Sequence, residues 1–261
     1  MMMKAGFTQG LTGWQTFVTG GGALTTTEGV LRLANEPTTT TTYTNAQLDD
    51  YQNLRRRAFR WQPPLTLTVR ARFSHPAGQL RGTAGFGFWN DPFMMTGARR
   101  PTLPRAIWFF YSSPPSNMQL ALDVPGHGWK AATIDAWRLP FFLLAPSAPV
   151  AMPLMRIRSL YRTLWPLAQR TIGVSEKLLG VEMTEWHTYK IEWGVKTARF
   201  TVDEVLILTC TTPPRGPLGL VIWLDNQAMV VTPWGQFRHT LVASSVQQWM
   251  EVAEVEVSSD Q

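Results

Sequence analysis

Two short segments combine an aromatic side chain with a carboxylate and an amide, a set of groups that can bind a small polar or ring-shaped ligand. They are Trp89-Asn90-Asp91 and Trp223-Leu224-Asp225-Asn226-Gln227. Aromatic faces stack on flat ligands, and amides and carboxylates bind hydroxyl groups. A structural interpretation stays open, because Asn and Asp also satisfy backbone groups where strands end. With two aromatic residues of a third segment, the predicted ligand-binding residues are Trp89, Asn90, Asp91, Trp108, Phe110, Trp223, Asp225, Asn226 and Gln227.

The other residues that could do chemistry form no recognisable catalytic or metal-binding pattern. The four histidines lack metal-ligand spacing, and no Ser-His-Asp order, phosphate-binding loop or dinucleotide fingerprint is present. His127 is interpreted either as an ordinary loop histidine or as a general acid or base. The single Cys210 lies in an apolar run and is predicted to be buried and inert. The catalytic residues therefore stay unassigned, and neither a metal nor a cofactor is predicted.

Short strands must position these residues, because apolar and polar side chains alternate along much of the chain. The clearest case is 65–73, where Leu65, Leu67, Val69, Ala71 and Phe73 share one face. Many short strands without intervening helices predict an all-β fold, an antiparallel β-sandwich or jelly roll. The predicted strands are 29–34, 65–73, 85–89, 106–111, 118–122, 188–193, 198–202, 205–208, 218–224 and 249–257.

One stretch, about 136–180, departs from the strand pattern and is predicted to be an insertion in a single domain spanning 1–261. A Pro-rich apolar loop, 141–146, precedes an amphipathic helix over about 154–172, which Pro166 should kink. Arg156, Arg158 and Arg162 lie on its polar face. Two interpretations stay open: the apolar face packs on the sandwich, or the basic helix lies on a membrane surface. In the first case the residues predicted to close a lid over the site are Phe141, Phe142 and Trp165.

Composition and charge narrow the function classes. With 44% hydrophobic and 16% charged residues, the 261-residue chain is predicted to be globular. The net charge of +6 comes from two blocks: 51–105 holds ten arginines and one Asp, and 136–175 holds five arginines and no acidic residue. No nucleic-acid motif accompanies them, so no nucleic-acid partner is predicted. The N-terminus lacks a secretory pattern and no apolar run reaches a spanning length, so a cytoplasmic location is expected.

Several motifs together resemble one known family. Trp186-His187-Thr188-Tyr189-Lys190-Ile191-Glu192-Trp193 is followed by Phe200-Thr201-Val202-Asp203, and the chain closes with the alternating strand 249–257. These segments resemble the concanavalin A-like jelly roll of laminarinases and lichenases, glycoside hydrolase family 16. The resemblance implies that 85–89, 106–111 and 218–224 line a concave cleft. It covers most of the chain except 136–180.

The catalytic motif of that family is absent from the segment that should carry it. Retaining glycosidases need two carboxylates about 5–5.5 Å apart, and this family places them at alternate positions of one strand. Here that strand, 106–111, contains no carboxylate. Hydrolysis by the family mechanism is therefore not expected.

Two functions remain. The first is a non-hydrolytic ligand-binding protein on a glycosidase-like jelly roll, with a carbohydrate on its aromatic concave face. The alternative is an intracellular enzyme of cyclase or isomerase type, or a binding protein, for an apolar small molecule in a pocket closed by the 136–180 insertion. Such a pocket needs shape and excluded water more than paired carboxylates.

Overall fold

The chain forms two antiparallel sheets packed face to face, because strands with alternating apolar residues bury one face against each other. The structure is a computed structural model that describes residues 2–5, 7, 11–92 and 100–259. The first sheet contains, in spatial order, β13 (Val205–Cys210), β12 (Ala198–Val202), β11 (His187–Trp193), β6 (Leu65–Phe73), β17 (Gln248–Ser258), β4 (Val30–Asn35) and β3 (Gly22–Thr27), and β1 (Met2–Ala5) pairs with the second half of β17.

The second sheet carries the strands predicted to form the cleft. Its spatial order is β10 (Ser175–Leu178), β9 (Gly128–Asp135), β8 (Arg105–Ser112), β7 (Thr83–Trp89), β14 (Gly219–Asp225), β5 (Asn45–Asp49) and β2 (Gln15–Thr19). A separate hairpin, β15 (Gln227–Val231) and β16 (Phe237–Leu241), follows β14 directly. The fold is the β-sandwich jelly roll that the sequence predicts.

The core lies between the two sheets and is rich in aromatic rings. Every second residue of β6, from Leu65 to Phe73, is buried, as the alternation predicts. Four rings at the centre have centroids 5.1 to 6.0 Å apart, in tilted or edge-to-face arrangements that favour aromatic packing. They belong to Phe86, Phe109, Trp129 and Tyr189.

The outer face of the first sheet accounts for part of the basic block 51–105. The guanidinium groups of Arg70 and Arg72 lie 5.0 and 4.8 Å from the Trp186 ring. Arg72 and Arg32 both bind Glu251, which is the cross-strand neighbour of each. Contact with an aromatic ring and pairing with a carboxylate across the strands both stabilise a cationic side chain. These three arginines therefore have partners on the sheet face itself.

Three helices form the insertion between β9 and β10. They are α1 (Leu139–Leu144), α2 (Ala148–Leu154) and α3 (Arg158–Thr171). The prediction of a loop at 141–146 was wrong, because Pro140 stands in the first turn of α1, where proline is compatible with a helix. The predicted helix 154–172 begins four residues later than expected. Extended backbone at Ile157 separates α2 from α3.

The predicted strand 118–122 was also wrong, since this segment is a loop. Met118 donates a backbone hydrogen bond to Gly126, and Leu120 donates one to Met118, which folds the segment on itself. Its apolar side chains Leu120 and Leu122 pack under the insertion instead of in a sheet. The alternating apolar residues of this segment therefore contact helices and do not form a strand.

Candidate ligand-binding site

The face of the second sheet that is turned away from the core carries most of the predicted site. Along β14 the core takes Ile222 and Leu224, so Trp223 and Asp225 point to the opposite side. The same alternation places on this side Gln47 of β5, Thr83 and Trp89 of β7, and Ala106, Trp108 and Phe110 of β8.

Four rings form a continuous aromatic floor, made of Trp89, Trp108, Phe110 and Trp223. The Trp108 centroid lies 5.8 Å from Trp89, 5.2 Å from Phe110 and 5.4 Å from Trp223. The planes of Trp89 and Trp223 are nearly parallel, at an angle of 5°. The structure therefore brings together the aromatic residues that the sequence places on three separate strands.

Two glycines of β7 make room for this floor. Gly85 is the register partner of Trp223 and Gly87 that of Trp108. A Cβ atom on Gly85 would lie 2.8 Å from the Trp223 ring, and one on Gly87 would lie 2.6 Å from Trp108 Cβ. Because neither distance is compatible with carbon–carbon contact, the indole rings occupy space that the missing side chains leave above β7.

Polar groups gather at one end of the floor, which we call the polar end: Gln47, Thr83, Asp225 and Gln227. The Thr83 hydroxyl donates to Asp225 Oδ1 at 2.7 Å and accepts a hydrogen bond from Trp223 Nε1 at 2.9 Å. The backbone N–H of Gln227 donates to the same Asp225 oxygen at 3.0 Å. The carboxylate is thus held in one orientation beside the floor.

Burial changes the acidity of this carboxylate. Loss of hydration raises the pKa of Asp225 to about 6, although the hydrogen bonds from Thr83 and Gln227 act in the opposite direction. The neighbouring phenol responds in the same sense, since burial and the Asp225 charge both raise the pKa of Tyr43. Asp225 can therefore exchange a proton at mildly acidic pH.

The helical insertion lies over the floor, and the two form a partly open cavity of about 510 Å³. The cover is almost entirely apolar. The cavity-lining residues of α1, α2 and α3 and of the turns beside them include Phe141, Leu144, Ala148, Ala151, Met155, Leu164, Trp165, Ala168 and Ile172. The hairpin after β14 adds Met229 and Val231 on one side.

Buried contacts attach the insertion to the rest of the molecule. Trp165 Nε1 donates to the backbone oxygen of Leu120 at 2.7 Å. Tyr161 packs edge-on against Trp234, with ring centroids 5.5 Å apart. The loop that receives Trp165 is held in turn by Glu176, which accepts the backbone N–H of Ala121 at 2.7 Å and pairs with Lys130 at 3.1 Å.

Three predicted site residues lie outside the cavity lining. The Asn90 side chain joins the backbone of Leu103 and Arg105, and the Asn226 side chain joins that of Thr44 and three other loop residues. Asp91 is buried, and its backbone φ of 46° lies in a left-handed turn. These three residues shape the strand ends, in line with the structural interpretation that the sequence left open.

The remaining predicted residues line the cavity, with one exception. Trp89, Trp108, Phe110, Trp223, Asp225 and Gln227 do so, as do Phe141 and Trp165 of the predicted lid. Phe142 points away and contacts Trp137 instead, with centroids 5.8 Å apart. The role of all these residues in binding stays a prediction.

Six polar lining residues were not predicted: Gln47, Thr83, Arg105, Ser147, Thr171 and Thr232. On β5, Asn45, Gln47 and Asp49 alternate with Ala46 and Leu48, which lie in the core. Thr83 lies six residues before Trp89 on the same strand, so the period of two already placed both on one face. The alternation was present in the sequence for both residues, but the position of Gln47 beside β14 depends on the sheet order.

The described residues include no group of three His, Cys, Asp or Glu side chains arranged to hold a metal ion. The His187 side chain binds Asp203 and the backbone of Glu182. The Cys210 side chain is buried in the core.

Comparison with known proteins finds similar structures but no similar sequences. No protein-family model matches the sequence, and no curated protein matches it. Solved structures do match in fold. A lichenase from a mouse hindgut metagenome superposes with a TM-score of 0.54 at 11% identity over 99% of both chains. A laminarinase catalytic domain from Thermotoga petrophila gives 0.54 at 12% identity over 99% of this chain and 97% of that one.

A β-glucanase from Bacillus licheniformis also superposes, with a TM-score of 0.50 at 12% identity over 99% of this chain and 98% of that chain. These similarities confirm the expected laminarinase and lichenase fold. At such low identity they concern the fold alone.

Proposed function

We propose that this protein binds an apolar small molecule, with one hydrogen-bonding end, between the aromatic floor and the helical insertion. The observation that carries the proposal is the cavity beneath the insertion, whose floor is aromatic and whose cover is almost entirely apolar. Its volume of about 510 Å³ falls in the range of roughly 300–1,000 Å³ that is typical of small-molecule sites. The polar end would orient the ligand.

The cover argues against an enclosed sugar. A sugar carries hydroxyl groups around its ring, and each one buried without a partner costs about 1–3 kcal/mol. The helices contribute mainly Phe, Leu, Ala, Met and Ile side chains to the lining. These side chains offer no partner to a hydroxyl group.

Hydrolysis by paired carboxylates finds no support in the lining. The positions of β8 that face the cavity hold Ala106, Trp108 and Phe110. Among the described lining residues, Asp225 is the one carboxylate. Because the retaining and inverting mechanisms both use two carboxyl groups, we propose a role that does not break glycosidic bonds.

A carbohydrate ligand remains a second candidate. Two observations favour it: the fold relatives include β-glucanases, and Trp223 lies beside Thr83 and Asp225, which could bind hydroxyl groups. Such a ligand would have to use the polar end and leave the aliphatic part of the cavity unfilled.

Two titrations distinguish these candidates. Nile red, a neutral apolar dye, should show saturable fluorescence enhancement with the protein, whereas laminarin oligosaccharides should leave tryptophan fluorescence unchanged. Trp108→Ala should weaken dye binding about tenfold, since it removes a ring from the floor. The matched control is Trp249→Ala, because Trp249 lies on the first sheet beside Arg32.

The opposite pattern would overturn the proposal. Saturable quenching by the oligosaccharides that disappears in Trp223→Ala would assign the site to a carbohydrate. Equal dye binding by wild type and Trp108→Ala would place the dye elsewhere on the molecule.

A further inference from the structure

The outer surface of the insertion is apolar, although it faces solvent. Residues 139–155 contain no charged side chain, and Ser147 is the one polar residue among them. Their inner face lines the cavity. On the outer face Leu139, Leu143 and Val150 are 71%, 75% and 67% exposed. A helix that is apolar all round is normally buried on all sides, so this outer face lacks a partner.

Positive charge borders this apolar surface. Arg138 precedes it, and Arg156, Arg158 and Arg162 follow it. None of these four arginines forms an ion pair with a carboxylate in the described part of the chain. Two acidic residues flank the insertion in sequence, but both are paired with other basic residues. Asp135 pairs with Arg105 and Glu176 with Lys130, all with mostly buried side chains.

We propose that residues 138–162, which we call the docking segment, bind the surface of an anionic phospholipid membrane. Its exposed Leu and Val side chains would enter the boundary between headgroups and acyl chains, and its arginines would contact the phosphates. Among the described residues, no helix is long and apolar enough to cross a bilayer. The segment therefore docks on one leaflet.

Charge and composition favour a lipid surface over other partners. A nucleic acid would also attract the arginines, but the side chains between them are aliphatic, and an RNA or DNA backbone gives those no apolar environment. A lipid surface matches both features at once. It would also place the cavity, which lies directly beneath the same helices, next to a source of apolar molecules.

Vesicle sedimentation tests the proposal on the full chain. The protein should pellet with vesicles that contain phosphatidylglycerol and much less with vesicles of phosphatidylcholine alone. Each arginine near an anionic surface strengthens binding about fivefold, so Arg158→Glu/Arg162→Glu should weaken binding about 25-fold or more. Leu143→Ser/Val150→Ser should weaken it about tenfold or more, because two apolar side chains lose their burial.

A matched control removes equally exposed valines elsewhere. Val195 and Val205 are 69% and 64% exposed on the turn after β11 and on β13, which belong to the first sheet, whereas the insertion joins two strands of the second sheet. Val195→Ser/Val205→Ser should bind vesicles like wild type. Circular dichroism of every variant should show the same strand spectrum, so that a loss of binding is not a loss of fold.

Three outcomes would overturn the docking proposal. They are failure of wild type to bind anionic vesicles, unchanged binding by the arginine variant, and equal losses in the docking and control variants. If wild type dimerises and Leu143→Ser/Val150→Ser is monomeric, without vesicle binding by either, the surface is an interface between two copies. Nile red titrations remain independent, because Leu143 and Val150 do not line the cavity.

Discussion

Asp225 is the charged residue at the polar end of the cavity. It is the carboxylate that faces the aromatic floor among the described lining residues, and burial holds its pKa at about 6. Near neutral pH Asp225 is charged although it is poorly hydrated. Below its pKa it is a neutral carboxylic acid that can donate a hydrogen bond. The charge that the polar end presents to the cavity therefore changes near this pH.

This shift gives a signed prediction for stability. The pKa of Asp225 is higher in the folded than in the unfolded chain, so its contribution to stability is complete below the unfolded value of 3.8 and is lost as pH rises through about 6. Asp225→Asn keeps an oxygen for Thr83 and Gln227 but cannot ionise. Its free energy of unfolding should match wild type near pH 4 and exceed it by roughly 2–3 kcal/mol near pH 7.5.

Urea denaturation at the two pH values measures this difference. Asp50, whose pKa burial also raises to about 6, is present in both proteins and cancels in the comparison. A stability difference between wild type and Asp225→Asn that does not change with pH would contradict the prediction.

At the scale of elements, the insertion is held by a small cluster of its own. Met155, Tyr161 and Trp165 are buried together beside Trp234, apart from the main core. Few contacts elsewhere hold α1 and α2, whose outer side chains are exposed. Segments of this kind open at lower free energy than the core strands.

Trp165→Ala should therefore loosen the insertion and leave the sandwich in place. Loss of a buried indole and of its hydrogen bond to Leu120 should lower the free energy of local opening by about 3 kcal/mol. Amide hydrogen exchange over 139–171 should accelerate, with little change in β6 and β17. Arg162→Ala, an exposed change on the same helix, is the control, and uniform acceleration across both sheets would show that the insertion does not open alone.

At the scale of the whole molecule, the two basic regions differ in how their charges are satisfied. On the first sheet, Glu251 lies between Arg32 and Arg72 and binds both, at 2.5 and 2.8 Å. Burial alone would raise the pKa of Glu251, but the two arginines outweigh it and lower that pKa. Among the described residues, no carboxylate forms an ion pair with the arginines of the docking segment. Within this part of the chain, the two sets of basic side chains therefore differ in their pairing.

Removal of the Glu251 charge tests its pairing with Arg32 and Arg72. Glu251→Gln should lower the free energy of unfolding by about 1–3 kcal/mol at neutral pH, a range typical of hydrogen bonds to charged groups. Because the pKa of Glu251 is lower in the folded chain, its contribution is present above the unfolded value and is lost as pH falls through the folded value. Thermal denaturation of both proteins should therefore converge at low pH.

Glu192→Gln is the control for this prediction, since Glu192 is exposed on β11 of the same sheet. A loss of stability as large as that of Glu251→Gln would show that any negative charge on this sheet has the same effect. A constant difference between wild type and Glu251→Gln down to low pH would contradict the assigned pairing.

The sequence alone could predict the sandwich and the aromatic floor, because both follow from a period of two. The alternation in β6 separates the two faces of that strand. In β14, where every residue is buried, the period of two of any strand places Ile222 in the core and Trp223 on the cavity side. The strand-end amides could not be assigned in this way. Asn90 and Asn226 bind loops that are distant in sequence, so their partners depend on how the chain returns.

The insertion shows the other limit of sequence patterns. Its predicted apolar face, from Leu154 to Ile172, was assumed to point in one direction, yet Ile157 and Leu167 are exposed while Trp165 is buried. Helix periodicity does not show whether an apolar face lines a cavity or is exposed to solvent. The placement of α1 and α2 over the floor is needed to tell which apolar residues face the cavity and which face outwards.

The glycines of β7 have a consequence for how the cavity could be altered. Between Thr83 and Trp89 this central strand presents no side chain to the cavity, because Gly85 and Gly87 lie under the rings of neighbouring strands. A change of the cavity floor at its centre therefore has to be made on β8 or β14, which contribute Trp108, Phe110 and Trp223. Two glycines set the level of the floor, and the rings on either side set its shape.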